Sequence, residues 1–148
     1  ITVVWESDHP EAKAIHLHPK QMGGAILSLD WMNPKESWKW AGPNWDKFVN
    51  TSLVNRFVGV EIQAENPEDM KNTWQSVLNL KSERVTGNQI NLDNTWIRFL
   101  EDEDGRGAGV SAFCLEADDN DKLFEKASDL GLVYEDNIMI GGVKFLLS

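Results

Sequence analysis

The sequence holds one cysteine, Cys114, so no disulfide can close within the chain. Cys114 lies in an apolar strand-like run, where burial is the ordinary state of a free thiol, and a reducing, cytoplasmic setting is expected. Basic residues are scarce as well: 14 Lys and Arg against 24 Asp and Glu leave a formal charge of −10. A surface that grips phosphates needs clustered Lys and Arg, so no nucleic-acid partner is expected. No apolar run approaches the roughly 20 residues that span a bilayer. The residues from Ile1 onward lack a basic-then-apolar signal pattern, and no membrane partner is expected either. What remains is ordinary for a globular protein: 148 residues, 41% hydrophobic and 26% charged, enough chain to bury a core.

The chain is built on a pattern that occurs twice. A strand-like run is followed by an acidic helix start, an amphipathic helix and three short strands. The first copy opens at Val58-Gly59-Val60-Glu61-Ile62-Gln63-Ala64, where apolar and polar residues alternate as on a two-faced strand. Asn66-Pro67-Glu68-Asp69 then reads as a helix cap with acids in the first turn. Met70, Trp74, Val77 and Leu78 recur at helical spacing, and short strands follow around Val85, Ile90–Leu92 and Trp96–Leu100. The second copy opens at Val110–Ala117, starts its helix at Asp118–Asp121 and stops it at Gly131. A last hairpin turns at Gly141-Gly142 between Ile138–Ile140 and Val143–Leu147. An internal duplication of this kind fixes architecture: α+β, with paired βαβββ units.

Upstream, strands are expected at Thr2–Glu6, Ala14–His18 and Ala25–Asp30, with Lys20–Gly24 turning between the last two. Trp31, Trp38, Trp40 and Trp45 then fall among Asn, Pro, Lys and Gly without any period, which reads as an irregular linker anchored by its aromatics. The organisation expected is three orphan strands at 1–30, a Trp-rich linker at 31–55 and a complete domain at 56–148, divided into 56–104 and 105–148. The acidic loop Glu101–Gly109 joins the two copies. It does not fit a calcium loop, because with Gly105 sixth the first and twelfth positions fall on Leu100 and Ser111. Nor is Gly105-Arg106-Gly107-Ala108-Gly109 a dinucleotide fingerprint, since it precedes a strand and opens no helix. A solvated connector is expected.

Paired βαβββ units resemble the vicinal oxygen chelate superfamily, which includes glyoxalase I, methylmalonyl-CoA epimerase, extradiol dioxygenases and bleomycin-resistance proteins. The stretch Leu17-His18-Pro19-Lys20-Gln21-Met22-Gly23-Gly24-Ala25-Ile26-Leu27-Ser28-Leu29 is similar to the last hairpin of epimerase-type glyoxalase-like proteins. On that resemblance residues 1–30 are the closing strands of a unit whose opening strand and helix are absent. The resemblance also implies a curved sheet around a trough holding a divalent metal, with His or Gln on opening strands and Glu on closing strands. Those positions fall here on Ser28, on Gly59 (or Val58, Val60) and on Ala112 (or Ser111), and Thr95–Leu100 and Val143–Leu147 contain no Glu, Asp or His. A metal-free domain is therefore expected. The weak alternative set is His16 and His18, two apart on one expected strand and so on one face, with Asp30.

The trough face, opposite the apolar positions, would carry Glu61, Gln63, Arg98, Cys114, Glu116 and Lys144. Charged groups of both signs converging in a cleft can orient a polar ligand, and Glu61 or Glu116 could act as acid or base. Two functions follow from different classes. One is a metal-free glyoxalase-like module that binds or sequesters a small organic molecule, as the resemblance to bleomycin-resistance proteins implies. The other is a metal-dependent lyase, isomerase or dioxygenase with part of its site outside this chain. A structural, partner-binding half is a third, signalled by an aromatic plug in the trough. Three strands without a helix leave an apolar face and open edges, so a homodimer is expected.

Overall fold

Cross-strand pairing, more than hydrophobic pattern, decides the first part of the chain. The computed structural model describes residues 1–148 in two units, Ile1–Val49 and Asn50–Ser148. In the first, β1 (Val3–His9), β2 (Ala12–Leu17) and β3 (Ser28–Met32) form an antiparallel sheet in that order. All three are displaced from the ranges expected. Polar Ser7, Asp8 and His9 continue β1 because Ala14, Lys13 and Ala12 stand opposite them, and Asp8 meets Lys13 at 2.7 Å. A strand exposed along most of its length carries no alternation to read. The Lys20–Gly24 region turns as expected, through a 3-10 turn at Pro19–Gln21 and positive φ at Gly23 and Gly24.

The Trp-rich segment is less irregular than its composition suggests. β3 runs into it as far as Met32, two 3-10 turns follow at Lys39–Ala41 and Trp45–Phe48, and residues up to Val49 group with the first unit. Trp40 meets Trp5 and His9, each with ring centroids 6.5 Å apart, and donates Nε1 to Asp30 at 2.9 Å.

The second unit realises the duplication. Its first copy is β4 (Arg56–Ala64), α1 (Pro67–Val77), β5 (Val85–Thr86), β6 (Gln89–Asn91) and β7 (Trp96–Glu101). Its second is β8 (Gly109–Glu116), α2 (Asn120–Asp129), β9 (Val133–Tyr134), β10 (Asn137–Ile140) and β11 (Val143–Leu147). The eight strands make one mixed sheet, β5-β6-β7-β4-β8-β11-β10-β9. The opening strands β4 and β8 lie antiparallel at its centre, and each closing strand, β7 or β11, runs parallel to its own opening strand. The fold is thus α+β with paired βαβββ units, the arrangement expected of a glyoxalase-like fold. No helix is long and apolar enough to cross a membrane.

Both helices begin where their caps predict. Asn66 accepts from the Asp69 backbone N–H at 3.2 Å and Asp119 from that of Lys122 at 2.9 Å, satisfying donors that the first helical turn leaves free. α1 buries Met70 and Trp74, and the Trp74 ring meets Phe99 edge-on at 5.7 Å. Phe99, Ile62 and Ile90 are almost completely shielded from solvent, each worth about 1.5–3 kcal/mol of hydrophobic stabilisation. Across the central seam, Phe113 packs between Phe57 and Phe145 at 5.7 and 5.6 Å. One boundary differs from expectation: β7 extends past Leu100 to Glu101, which pairs with Ala64, so a closing strand does carry a carboxylate.

Candidate functional site

Successive strand residues point to opposite faces. Ile62 and Phe99 face α1, so Glu61, Gln63 and Arg98 lie on the other side of the sheet. Strand register then draws a row across that face. Gln89 stands opposite Arg98, Arg98 opposite Glu61, Glu61 opposite Ala112, and Ala112 opposite Lys144. Val60 and Phe113 pair at the middle of the antiparallel seam, with the same spacing to the helix caps Asn66 and Asp119, so Gly59 and Ala112 are the equivalent positions of the two copies, and their parallel partners Trp96 and Lys144 are likewise equivalent.

The two halves of the row are chemically unlike. In the first copy the cation has its carboxylate: Arg98 Nη1 donates to Glu61 Oε1 at 3.2 Å, while Nε and Nη2 donate to Gln89 Oε1 at 3.1 and 3.0 Å. The guanidinium also stacks 4.4 Å above the Trp96 ring. At the other end of the row Ala112 sets no carboxylate opposite half-buried Lys144, whose side chain makes neither hydrogen bond nor ion pair. An amine paired with no carboxylate can take a ligand's.

Trp96 owes its position to Gly59. The two residues are paired in register, and a Cβ at Gly59 would lie 2.4 Å from the indole. The ring thus covers the bare backbone of the opening strand, as aromatics cover glycines in sheets.

A cavity of about 170 Å³ opens beside the row, lined among others by Glu61, Gln63, Glu101, Glu103, Ser111 and Lys144. Such a volume takes about six water molecules, below the range usual for drug-sized ligands. Gln63, 4% exposed, reaches it with an amide already engaged. Its Nε2 donates to Asp102 Oδ1 (3.1 Å), Asp104 Oδ1 (2.7 Å) and the Gly107 carbonyl (2.9 Å). The connector is consequently an organised turn, where a solvated run was expected. Asp102 accepts from the backbone N–H groups of Gly105 and Gly107, and Asp104 from that of Arg106. The Arg106 side chain, then Gln63, hold the Asp104 carboxyl well below the usual range.

The remaining residues expected in the trough, Cys114 and Glu116, alternate with Ala112 on the same face but do not line the cavity. Cys114 is buried one row along, opposite Gly59. Burial, with Glu61 adding, pushes its thiol up to about 11, which leaves it unreactive near neutrality. Glu116 sits at the exposed end of β8 in a bidentate pair with Arg56 (2.8 and 3.2 Å), whose hydrogen bond lowers its pKa. Ser111, Glu101 and Glu103 were not foreseen as lining residues. Ser111 reaches the cavity through a slip of register between Glu61 and Ile62, with its hydroxyl on the Glu61 carbonyl at 3.2 Å.

The metal of the glyoxalase-like resemblance finds no donors here. The opening-strand position at Gly59 is filled by the Trp96 ring, Ala112 offers nothing, and no group of three His, Cys, Asp or Glu side chains stands close enough to hold an ion. The alternative set does not assemble. His16 lies under Trp5 with ring centroids 4.5 Å apart. His18 falls beyond the end of β2, and so off the strand face expected to be shared with His16; its Nδ1 accepts from the Lys20 N–H at 3.2 Å, capping the next turn. Asp30 is occupied by Trp40 and by the Ser28 hydroxyl at 2.5 Å.

No family model matches the sequence, and no curated protein matches it. Among solved structures, the chain is similar to the crystal structure of methylmalonyl-CoA epimerase from Mycobacterium tuberculosis. The identity is 18%, the match covers 67% of this chain and 90% of that one, and the TM-score is 0.44.

Proposed function

We propose that the second unit is a metal-independent binding module for a small polar organic molecule, held in the cavity that Lys144, Glu61 and Ser111 line. The observation that carries this reading is the asymmetry of the row: at its β7 side Arg98 has a carboxylate opposite, whereas at its β11 side half-buried Lys144 stands opposite an alanine and has no partner. Opposite charges facing each other across strands stabilise a sheet, and Lys144 lacks such a pair. Beside a cavity its ammonium is available to a ligand.

The test is a screen of small polar metabolites against the isotopically labelled protein, read as backbone amide shifts. Binders should move Ser111, Ala112 and Leu146, and Lys144→Met should remove the response while leaving the spectrum otherwise folded. Binders that act only on residues of the first unit would sink the proposal.

The first unit supports a separate expectation, a homodimer. β1 and β3 each keep one unpaired edge, and Trp5, Leu29 and Trp31 are exposed, as surfaces awaiting a partner are. Light scattering should return twice the chain mass; a monomer at working concentration would end the idea.

A further inference from the structure

Resting on that reading of the cavity, we infer that its ligand is a small zwitterion, a molecule carrying both an ammonium and a carboxylate group. The argument is an inventory of which charges the cavity leaves unspent. Glu61 is spent on Arg98, and Asp104 on Arg106, Gln63 and a backbone amide. Two charged lining residues on this face have no partner, Lys144 and Glu103. The same sorting applies to the neutral groups. The Ser111 hydroxyl, whose hydrogen goes to the Glu61 carbonyl, retains lone pairs, and Asn137, whose amide goes to the Glu135 carbonyl, retains its oxygen. The free capacity is thus one cationic donor facing anionic and neutral acceptors.

Each single-charge ligand meets a penalty in such a cavity. A simple carboxylic acid reaches Lys144 but brings its negative charge beside Glu103. A simple amine reaches Glu103 but brings its positive charge beside Lys144. A zwitterion pairs both ends, and discrimination arises as much from the repelled alternatives as from the attraction. Size points the same way, because 170 Å³ admits a short amino acid and little more.

The experiment uses the full chain and three probes built on one three-carbon skeleton: β-alanine, propionate and propylamine, titrated at low ionic strength with amide shifts as the readout. β-Alanine should move Ser111 and Leu146 at least tenfold more tightly than either of the others. Lys144→Met should abolish that advantage, and so should Glu103→Gln, an exposed change that leaves the core untouched. If propionate or propylamine moves the same amides as tightly as β-alanine, the cavity binds ligands but the zwitterion is wrong. If none of the three moves them, the inference falls, while the broader screen still decides whether the cavity binds anything.

Discussion

Gly59→Ala tests the central arrangement of the site. The new methyl carbon would lie 2.4 Å from two atoms of the Trp96 ring, where contact distance is about 3.5–4.0 Å. The backbone at Gly59 has an ordinary φ, so the effect is steric alone. The obstacle is a ring, which cannot flex as a chain end can, and its displacement also unseats Arg98 from its position 4.4 Å above it. Overpacking costs about 1–3 kcal/mol and the lost stack about 0.5–1. Against these, alanine is favoured over glycine in a strand by about 0.5–1 kcal/mol. The net expectation is a loss of roughly 1–3 kcal/mol. In a Trp96→Val background the ring is gone, and Gly59→Ala should be neutral or slightly stabilising. Urea unfolding followed by far-ultraviolet circular dichroism measures both, avoiding the overlapping signals of seven tryptophans. An equal loss in both backgrounds, or none in the wild type, would refute the reasoning.

Three further outcomes are expected. Native Cys114 should resist a thiol reagent at pH 8 and react once the chain is unfolded; since its folded pKa is raised to about 11 from 9.0, the native state holds a proton that the unfolded chain releases, so stability should fall as pH rises from 9 toward 11, and Cys114→Ala should flatten that limb. Gln63→Glu should cost about 2–4 kcal/mol at pH 7, because it buries a charge against three acceptors, and should exceed Gln63→Ala; rapid hydrogen exchange at Gly105 and Gly107 would accompany it, and a mild effect would show that the loop does not depend on this amide. A chelator should leave the melting temperature unchanged, and a drop reversed by a single divalent metal would overturn the metal-independent reading.

The legible parts of the fold are those with local causes. Asn66-Pro67-Glu68-Asp69 announces α1 and Asp119 announces α2, because capping involves residues three apart. Gly141-Gly142 turns the last hairpin because both residues take positive φ. What was not legible depends on register. Ser7, Asp8 and His9 are strand only because β2 lies opposite, and Ser111 reaches the cavity only through a slipped pair. Alternation placed Gln63 on the correct face, but nothing in a strand pattern says that a long side chain will spend its amide on a loop forty residues downstream. The isolation of Lys144 is equally hidden, since it follows from an alanine that long-range pairing sets beside it.

The strand order has a mechanical consequence. In the second copy, β11 is the sole ladder between the central seam and the outer strands β10 and β9, against which α2 packs. Apart from the Arg106 side chain's bond to the Gly142 carbonyl, those elements hang from one line of parallel hydrogen bonds, from Lys144 to Leu147. If that line parts, β9, β10, β11 and α2 leave as one panel, while β4 keeps both its neighbours. The panel carries Lys144, so opening it separates the unpaired ammonium from Glu61 and dismantles the cavity without unfolding the first copy. A ligand that bridges the two sides acts as a latch on this door, and its signature would be slower exchange along a panel most of whose residues it never touches.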